Sequence, residues 1–164
     1  MGKKIIAAGH ICLDITPVFP DQKAENIGDI MIPGKLIQMG GADVHTGGAV
    51  ANTGLAMKIL GADVTLMGKI GADEFGGMVE NILHRYDVGE GMIVSEEEST
   101  SYSVVIAVPG IDRIFLHNPG ANHSFGCEDI DYEEVAKADL FHFGYPPLMR
   151  QMYQEGGKGM AVMF

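Results

Sequence analysis

The apolar residues of the chain fall into short runs bounded by glycine or proline, and their spacing predicts alternating strands and helices. Residues 4–8, 63–67 and 140–143 are short apolar runs typical of buried strands. Apolar positions recur at helical intervals over residues 48–60, which stop at Gly61, and over 73–86, where Asp73 can cap the first turn. Asp131, with Glu134 three residues later, predicts a further helix through residue 137.

Two other stretches have β character but do not fit this alternation. Residues 16–38 contain three prolines and two short β-like pieces, at 29–32 and 35–39. Residues 101–108 and 113–117 are separated by P-G-I-D, which is typical of a hairpin turn. We expect an α/β fold with a parallel, Rossmann-like sheet and helices on both faces, and we expect the two β excursions to meet in a separate small sheet.

The last residues predict that the chain is truncated. Residues 149–164 contain a glycine-rich break followed by K-G-M-A-V-M-F, which ends on apolar residues without a polar tail. A parallel sheet of about three core strands would also leave an edge and part of both faces uncovered.

Composition and charge narrow the range of partners. The net charge of -11 would repel a nucleic-acid backbone or an anionic membrane surface. No uninterrupted apolar run reaches the ~18 residues of a membrane helix, and the N-terminal apolar run is too short for a signal sequence. Cys12 and Cys127 have no metal-ligand spacing, so they are interpreted as reduced thiols of a cytoplasmic protein.

The stretch H-T-G-G-A-V-A-N-T-G, residues 45–54, carries the candidate chemistry. Gly47 and Gly48 precede a helix, so their amides can approach a ligand oxygen, although a plain glycine-rich entry loop is the alternative. Asn52 shares a stripe with Leu55, which predicts that its amide points toward the interior. Asp14 follows the first strand at the edge where parallel sheets place ligands, and its carboxylate suits neighbouring hydroxyl groups. Together these residues predict a polyol site.

Four motifs in this order resemble the N-terminal half of the ribokinase-like (PfkB) carbohydrate kinases. They are G-H-I-C-L-D-I at 9–15, G-G-A-V-A-N at 47–52, G-K-I-G-A-D-E-F-G at 68–76 and P-G-A-N-H-S-F at 119–125. The resemblance implies that residues 1–164 are the N-terminal part of a single ribokinase-like domain. It places lid segments at about 16–44 and 99–118, and it implies that a C-terminal nucleotide-binding half is absent from this chain.

The implied activity is ATP-dependent phosphorylation of a sugar hydroxyl, with ATP and Mg²⁺ as cofactors whose sites lie outside this chain. The resemblance assigns Asp14, Gly47, Gly48 and Asn52 to the sugar hydroxyls and suggests a homodimer formed through the lid. The family's catalytic base lies in a G-A-G-D motif, which this sequence lacks. We therefore expect no catalytic residue, no metal ligand and no kinase activity in the isolated chain.

Weaker candidates accompany this set. His45 adjoins the glycine pair, and Arg113 on the second hairpin could hold an anionic group, so both are lower-ranked substrate ligands. His142 is interpreted as an interior residue with satisfied hydrogen bonds, not as a metal ligand. Ribose-specific members carry a glutamate where Gly144 falls, which argues against ribose.

Two alternative functions remain open. A nucleoside kinase of the same fold would use the same aspartate and glycine pair. A non-catalytic module that binds a polyol or a protein partner would need no nucleotide site at all.

Overall fold

The computed structural model describes residues 2–20 and 24–164, so residues 21–23 of the first predicted lid segment lie outside the described residues. The strands are β1 (Lys4–Gly9), β2 (Cys12–Pro17), β3 (Ala42–Gly47), β4 (Asp63–Gly71), β5 (Met92–Ser95), β6 (Tyr102–Ile106), β7 (Ile114–Asn118) and β8 (Leu140–Gly144). The helices are α1 (Gly48–Ile59), α2 (Glu74–His84), α3 (Tyr132–Val135) and α4 (Arg150–Met163), the last interrupted by non-helical backbone at residues 154–157.

The core sheet has the strand order β5-β4-β1-β8, and all of its pairings are parallel. Successive residues of β1 point to opposite faces, so Ala7 packs in one apolar cluster while Ile6 and Ala8 pack in another. The first cluster includes residues of α1 and α2, and the second includes Met152 and Met163 of α4. The predicted α/β class, with helices on both faces of a parallel sheet, is confirmed.

The small sheet has the strand order β3-β2-β6-β7, in which β2 and β3 flank the first predicted excursion and β6 and β7 lie within the second. Its β2–β3 and β6–β7 pairings are antiparallel, whereas β2 and β6 run parallel. The meeting of the two excursions in a separate sheet is therefore confirmed, and the sheet is mixed. It begins at Cys12, which lies before the predicted lid boundary at residue 16.

The sequence prediction was wrong in several local details. Residues 29–32 and 35–39 form no strand, because a short 3-10 helix at Ile27–Asp29 and a turn at Pro33 and Gly34 occupy this region. The strand instead spans residues 42–47, and β5 was missed. Helix α2 ends at His84 because Asp87 adopts a left-handed φ of 54° soon afterwards. Helix α3 is one turn long and does not reach residue 137.

Candidate functional site

A cavity of about 440 Å³ opens between the core sheet and the small sheet. Its volume falls within the roughly 300–1,000 Å³ that is usual for small-molecule sites. It is lined by His10, Cys12, Asp14, Gly48, Asn52, Ser103, Phe115, His117, Tyr145 and Leu148. Three of the four residues assigned to the substrate therefore border one cavity, and the fourth, Gly47, lies against Asp14.

Asp14 projects its carboxylate from strand β2 beside the N-terminus of α1. The residue lies past the end of β1, as predicted, but within a strand and not in a loop. It is half-buried, and its Oδ1 accepts a hydrogen bond from the Sγ of Cys12 at 3.3 Å. Burial and the adjacent carboxylate raise the pKa of the Cys12 thiol, so this thiol stays protonated and can donate. The remaining acceptor positions of Asp14 are available for hydroxyl groups.

Gly47 and Gly48 leave room for two side chains of the protein itself, those of Asp14 and His10. A Cβ atom at Gly47 would overlap the carboxylate of Asp14. Gly48 has a φ of +84°, and a Cβ atom there would overlap the backbone of His10 and lie 2.6 Å from Nδ1 of its ring. The two glycines therefore let Asp14 and His10 sit against the first turn of α1, which places both side chains at the cavity.

Asn52 lines the cavity from α1, but it does not point toward the protein interior. Its side chain is exposed, and the buried residues of α1 are Val50, Ala51 and Gly54. Of the stripe that the sequence assigned to the interior, Leu55 packs against the core cluster, whereas Ile59 is 68% exposed. The prediction of an inward Asn52 is wrong because the apolar pattern of α1 runs around the whole helix and does not mark one face.

The two weaker candidates do not border the cavity. His45 is exposed and pairs with Asp14 in the β2–β3 register, but it borders a different depression, together with Ile82 and Arg85. Arg113 is exposed and places its guanidinium 5.5 Å from the centre of the Phe115 ring. Arg113 therefore reaches the cavity only through this aromatic neighbour.

Several cavity residues were missed from the sequence, and His10 is the most unusual of them. Its side chain is 3% exposed, and neither ring nitrogen has a hydrogen-bond partner within the described part of the chain. A buried polar group left unpaired costs about 1–3 kcal/mol. The only sequence signal was its position directly after Gly9 at the end of a buried strand, which resembles a turn residue until its surroundings are known.

The segment that carries His10 is held in place by Asn122 from the P-G-A-N-H-S-F motif. The backbone N–H of Ile11 donates to Oδ1 of Asn122 at 3.1 Å, and Nδ2 of Asn122 donates to the carbonyl of Ile11 at 2.8 Å. Asn122 is fully buried. This pair of bonds fixes the connection between β1 and β2, and with it the positions of His10 and Cys12 on either side.

Residues 2–20 and 24–164 contain no group of three or more His, Cys, Asp or Glu side chains that could hold a metal ion. His142, expected to be a satisfied interior residue, is half-buried, and its Nε2 has no partner among the described residues. Over the same residues, no helix combines the length and the apolar character that crossing a membrane requires.

The fold and the cavity together define an α/β protein that places a carboxylate, a helix N-terminus and an amide around a cavity of about 440 Å³. A family model described as "pfkB family carbohydrate kinase" matches residues 7–155. The chain therefore belongs to the pfkB family of carbohydrate kinases.

Curated relatives include plant fructokinases. The chain is 33% identical over 143 residues to "Fructokinase-1" of Zea mays, which covers 85% of this chain and 41% of that protein. It is 32% identical over 144 residues to "Fructokinase-2" of Oryza sativa subsp. japonica, covering 85% and 39%. The chain thus spans about two fifths of the length of the curated relatives it matches.

Solved structures share the fold. The PfkB protein from Polaromonas sp. JS666 has a TM-score of 0.74 at 17% identity, covering 99% of this chain and 52% of that one. Fructokinase from Xylella fastidiosa has a TM-score of 0.67 at 23% identity, covering 87% and 41%. The ribokinase-like fold predicted from the motifs is confirmed.

Proposed function

We propose that this chain binds the sugar acceptor of an ATP-dependent carbohydrate kinase, and that the acceptor is a ketohexose such as D-fructose. The observation that carries the proposal is the convergence of Asp14, Gly48 and Asn52 on one cavity of monosaccharide size. Family membership and the fructokinase names of the curated relatives support the same acceptor class.

The residues of the cavity can bind and orient a sugar without further groups. The carboxylate of Asp14 accepts hydrogen bonds from two hydroxyls, and the amide of Asn52 can both donate and accept. Holding a hydroxyl in one orientation toward a second reactant can account for roughly 7–11 kcal/mol of a reaction barrier. In this proposal the small sheet is a lid whose closure excludes water from the bound sugar.

The described cavity does not fit the nucleotide or its metal. Among the described residues no lysine or arginine lines it, and the Asp14 carboxylate would repel a triphosphate. ATP is nevertheless the proposed phosphoryl donor, because the related Xylella fastidiosa fructokinase has been crystallised with bound ATP. We place the contacts to ATP and Mg²⁺ in a C-terminal nucleotide-binding half outside this chain, and we expect the chain alone to transfer no phosphoryl group.

The proposal also includes an oligomeric state and a cellular location. Ile114, Phe115 and Leu116 on β7 are 41%, 52% and 55% exposed, which suits a homodimer formed through the small sheet. Cys12 and Cys127 are both free, which is compatible with a cytoplasmic location.

The alternative of a nucleoside acceptor has one observation in its favour. Phe115 and Tyr145 both border the cavity, and aromatic rings of this kind can stack on a base. A separate observation argues against ribose, since ribose-specific members of the family carry a glutamate at the position of Gly144. Gly144 is buried, and a Cβ atom there would lie 2.9 Å from the Cβ of Ala49, so no larger side chain fits this backbone position.

The test is calorimetric titration of the chain with D-fructose, D-ribose and adenosine. We expect D-fructose to bind most tightly and Asp14→Asn to weaken it at least tenfold, since the neutral amide accepts hydrogen bonds more weakly than a carboxylate. Asp43→Asn is the matched control, because Asp43 is exposed on β3 and does not line the cavity.

Each alternative predicts a different result in the same experiment. Preferential binding of adenosine would support the nucleoside kinase. If a folded chain bound none of the three compounds, the result would favour the non-catalytic module that binds a protein partner. Phosphoryl transfer from ATP by the chain alone would contradict the proposed division of sites.

A further inference from the structure

His10 is a buried histidine whose ring nitrogens have no hydrogen-bond partner in the described part of the chain. It lines the same cavity as Asp14, and only 3% of its surface is exposed. Neither Nδ1 nor Nε2 makes a hydrogen bond to any described residue. Since buried polar groups in native proteins are almost always paired, the ring is arranged for a partner that enters the cavity.

His117 gives the cavity a second imidazole with a free nitrogen. Its ring centre lies 5.5 Å from that of His10, although His10 lies in the connection between β1 and β2, and His117 lies on β7, far away in sequence. Nδ1 of His117 is hydrogen-bonded to Oγ of Ser103 at 2.9 Å, which orients the ring. Nε2 is buried and has no partner among the described residues, so it is the atom left for a ligand.

The surroundings of both rings lower their pKa values, which favours the neutral imidazole. Burial, and to a smaller extent nearby His117, lowers the pKa of His10 to about 4. Burial also lowers the pKa of His117, and His123 adds to this although Asp14 opposes it. A neutral imidazole carries one donor and one acceptor nitrogen, which matches a hydroxyl group because a hydroxyl can both accept and donate.

The remaining cavity lining suits an uncharged ligand. Cys12, Ser103 and Asn52 offer neutral polar groups, and Asp14 carries the negative charge. Over residues 2–20 and 24–164, no lysine or arginine contributes to the lining. Phe115 and Tyr145 supply apolar surface on which the C–H faces of a ring compound can pack. A phosphorylated sugar would bring a second negative charge toward Asp14 without a cation to balance it.

From this geometry we infer that His10 and His117 are specificity-determining residues, whose free ring nitrogens hydrogen-bond hydroxyl groups of an uncharged polyol bound beside Asp14. The inference rests on the proposed function, because it assigns hydroxyl contacts within the same sugar site. It also explains Gly48, since only a residue without a side chain leaves room there for the His10 ring.

The first test is nuclear magnetic resonance of the histidine ring nitrogens during titration with D-fructose. The ring nitrogens of His10 and His117 should shift as the sugar binds, while those of His142, which lies on β8 outside the cavity lining, should not. A structural role alone would not couple these nitrogens to the ligand. Saturable D-fructose binding without a change at His10 or His117 would overturn the inference.

The second test compares variants by calorimetry. We expect His10→Phe, which keeps a ring but loses both nitrogens, to weaken D-fructose at least tenfold, and His10→Gln, which retains a donor and an acceptor, to weaken it less. His142→Phe is the matched control and should bind as the wild type does. D-fructose 6-phosphate should bind at least tenfold more weakly than D-fructose to the wild-type chain. Circular dichroism establishes that each variant is folded.

The possible outcomes distinguish failure of the histidine contacts from failure of the proposed sugar site. A wild-type chain that binds none of the sugars overturns both. Normal D-fructose binding by folded His10→Phe overturns the inference alone and leaves the sugar site intact, and equal binding of the phosphorylated sugar overturns the assignment of an uncharged ligand. If His10→Phe does not fold, His10→Gln and the ring-nitrogen shifts of the wild type still decide the question.

Discussion

The two sheets of this protein differ in how their residues are buried, although they are joined directly through the short connection between β1 and β2. In the core sheet, β4 carries Leu66 and Ile70 with almost no exposure, because helices cover both faces. In the small sheet, Phe115 and Leu116 are more than half exposed. The core sheet is thus covered by helices on both faces, whereas the small sheet has apolar surface available for a ligand or a second chain.

The candidate site draws on both sheets at their junction. His10 leaves the end of the core strand β1, Asp14 follows on β2 of the small sheet, and His117 comes from β7. A ligand in this cavity would therefore contact residues that follow the core strands β1 and β8, such as His10 and Tyr145, together with residues of the small sheet. The comparison teaches that mutations in the core sheet should mainly change stability, while those at the junction should change binding as well.

Leu66→Ala should give the largest loss of stability. Leu66 lies on β4 and is fully buried against α1. The packing is so close that a Cβ atom at Gly54 of α1 would overlap the Leu66 side chain. Removing a buried leucine side chain costs about 2–5 kcal/mol of unfolding free energy. Urea denaturation followed by circular dichroism measures this loss.

Leu116→Ala provides the matched change in the small sheet. Because Leu116 is 55% exposed, its truncation should change the unfolding free energy by less than about 0.5 kcal/mol. Equal losses for Leu66→Ala and Leu116→Ala would contradict the contrast between the two sheets, and would show that the exposed face of β7 is covered in solution.

Gly48→Ala should have a smaller effect on stability but should also reach the ligand. The left-handed φ of +84° and the overlap with His10 together should lower the unfolding free energy by about 1–3 kcal/mol. Displacement of the His10 ring should weaken D-fructose in the same variant. Urea denaturation and calorimetry measure the two effects separately.

Gly77→Ala is the control for this change, and it should have the opposite sign. Gly77 lies within α2, and a Cβ atom there would meet nothing within 4 Å. Alanine should therefore stabilise the helix by about 0.5–1 kcal/mol and leave sugar binding unchanged. Loss of stability in Gly77→Ala, or normal stability in Gly48→Ala, would contradict the packing described for the two glycines.

The same contrast explains which elements could be predicted from the sequence. Strands β1, β4 and β8 and helices α1 and α2 were found because apolar runs bounded by glycine mark buried elements directly. Strand β3 was missed because most of its residues are exposed, so A-D-V-H-T-G contains no apolar run that would mark a buried strand. Residues 35–39 have β-like composition but no partner strand, which only the three-dimensional fold decides.

The site was predictable where a motif supplied the residues and unpredictable where tertiary contacts did. The motifs indicated Asp14, Gly48 and Asn52, which line one cavity. The orientation of Asn52 was wrong because α1 is apolar around its circumference. His10 could not be ranked from sequence, since its significance depends on burial and on unpaired ring nitrogens. The reason for the glycine pair, room for His10 and Asp14, also depends on residues distant in sequence.

Asp73→Ala tests the link between the two sheets, with a smaller expected loss of stability than Leu66→Ala or Gly48→Ala. Asp73 caps α2 by accepting a hydrogen bond from the N–H of Gly76 at 2.8 Å. It also accepts bonds from the N–H and Oγ1 of Thr100, at 2.8 Å and 2.6 Å, just before β6. Losing a helix cap typically costs about 0.5–2 kcal/mol, which we expect at pH 7 by urea denaturation. Asp131→Ala, which removes a single capping bond on the short α3, should cost less.

The pH dependence of the Asp73 contribution follows from the same hydrogen bonds. Burial raises the pKa of Asp73, but the bonds from Thr100, Gly76 and Phe75 outweigh it, so the folded-state pKa lies below its usual value. A carboxyl group whose pKa is lowered by folding adds stability above its unfolded pKa of about 3.9 and loses it as the pH falls through the folded value. The stability difference between wild type and Asp73→Ala should therefore be constant from pH 7 to 5 and shrink below about pH 4. A difference that persists undiminished at pH 2 would mean that the cap and the link to Thr100 do not depend on the ionised carboxylate.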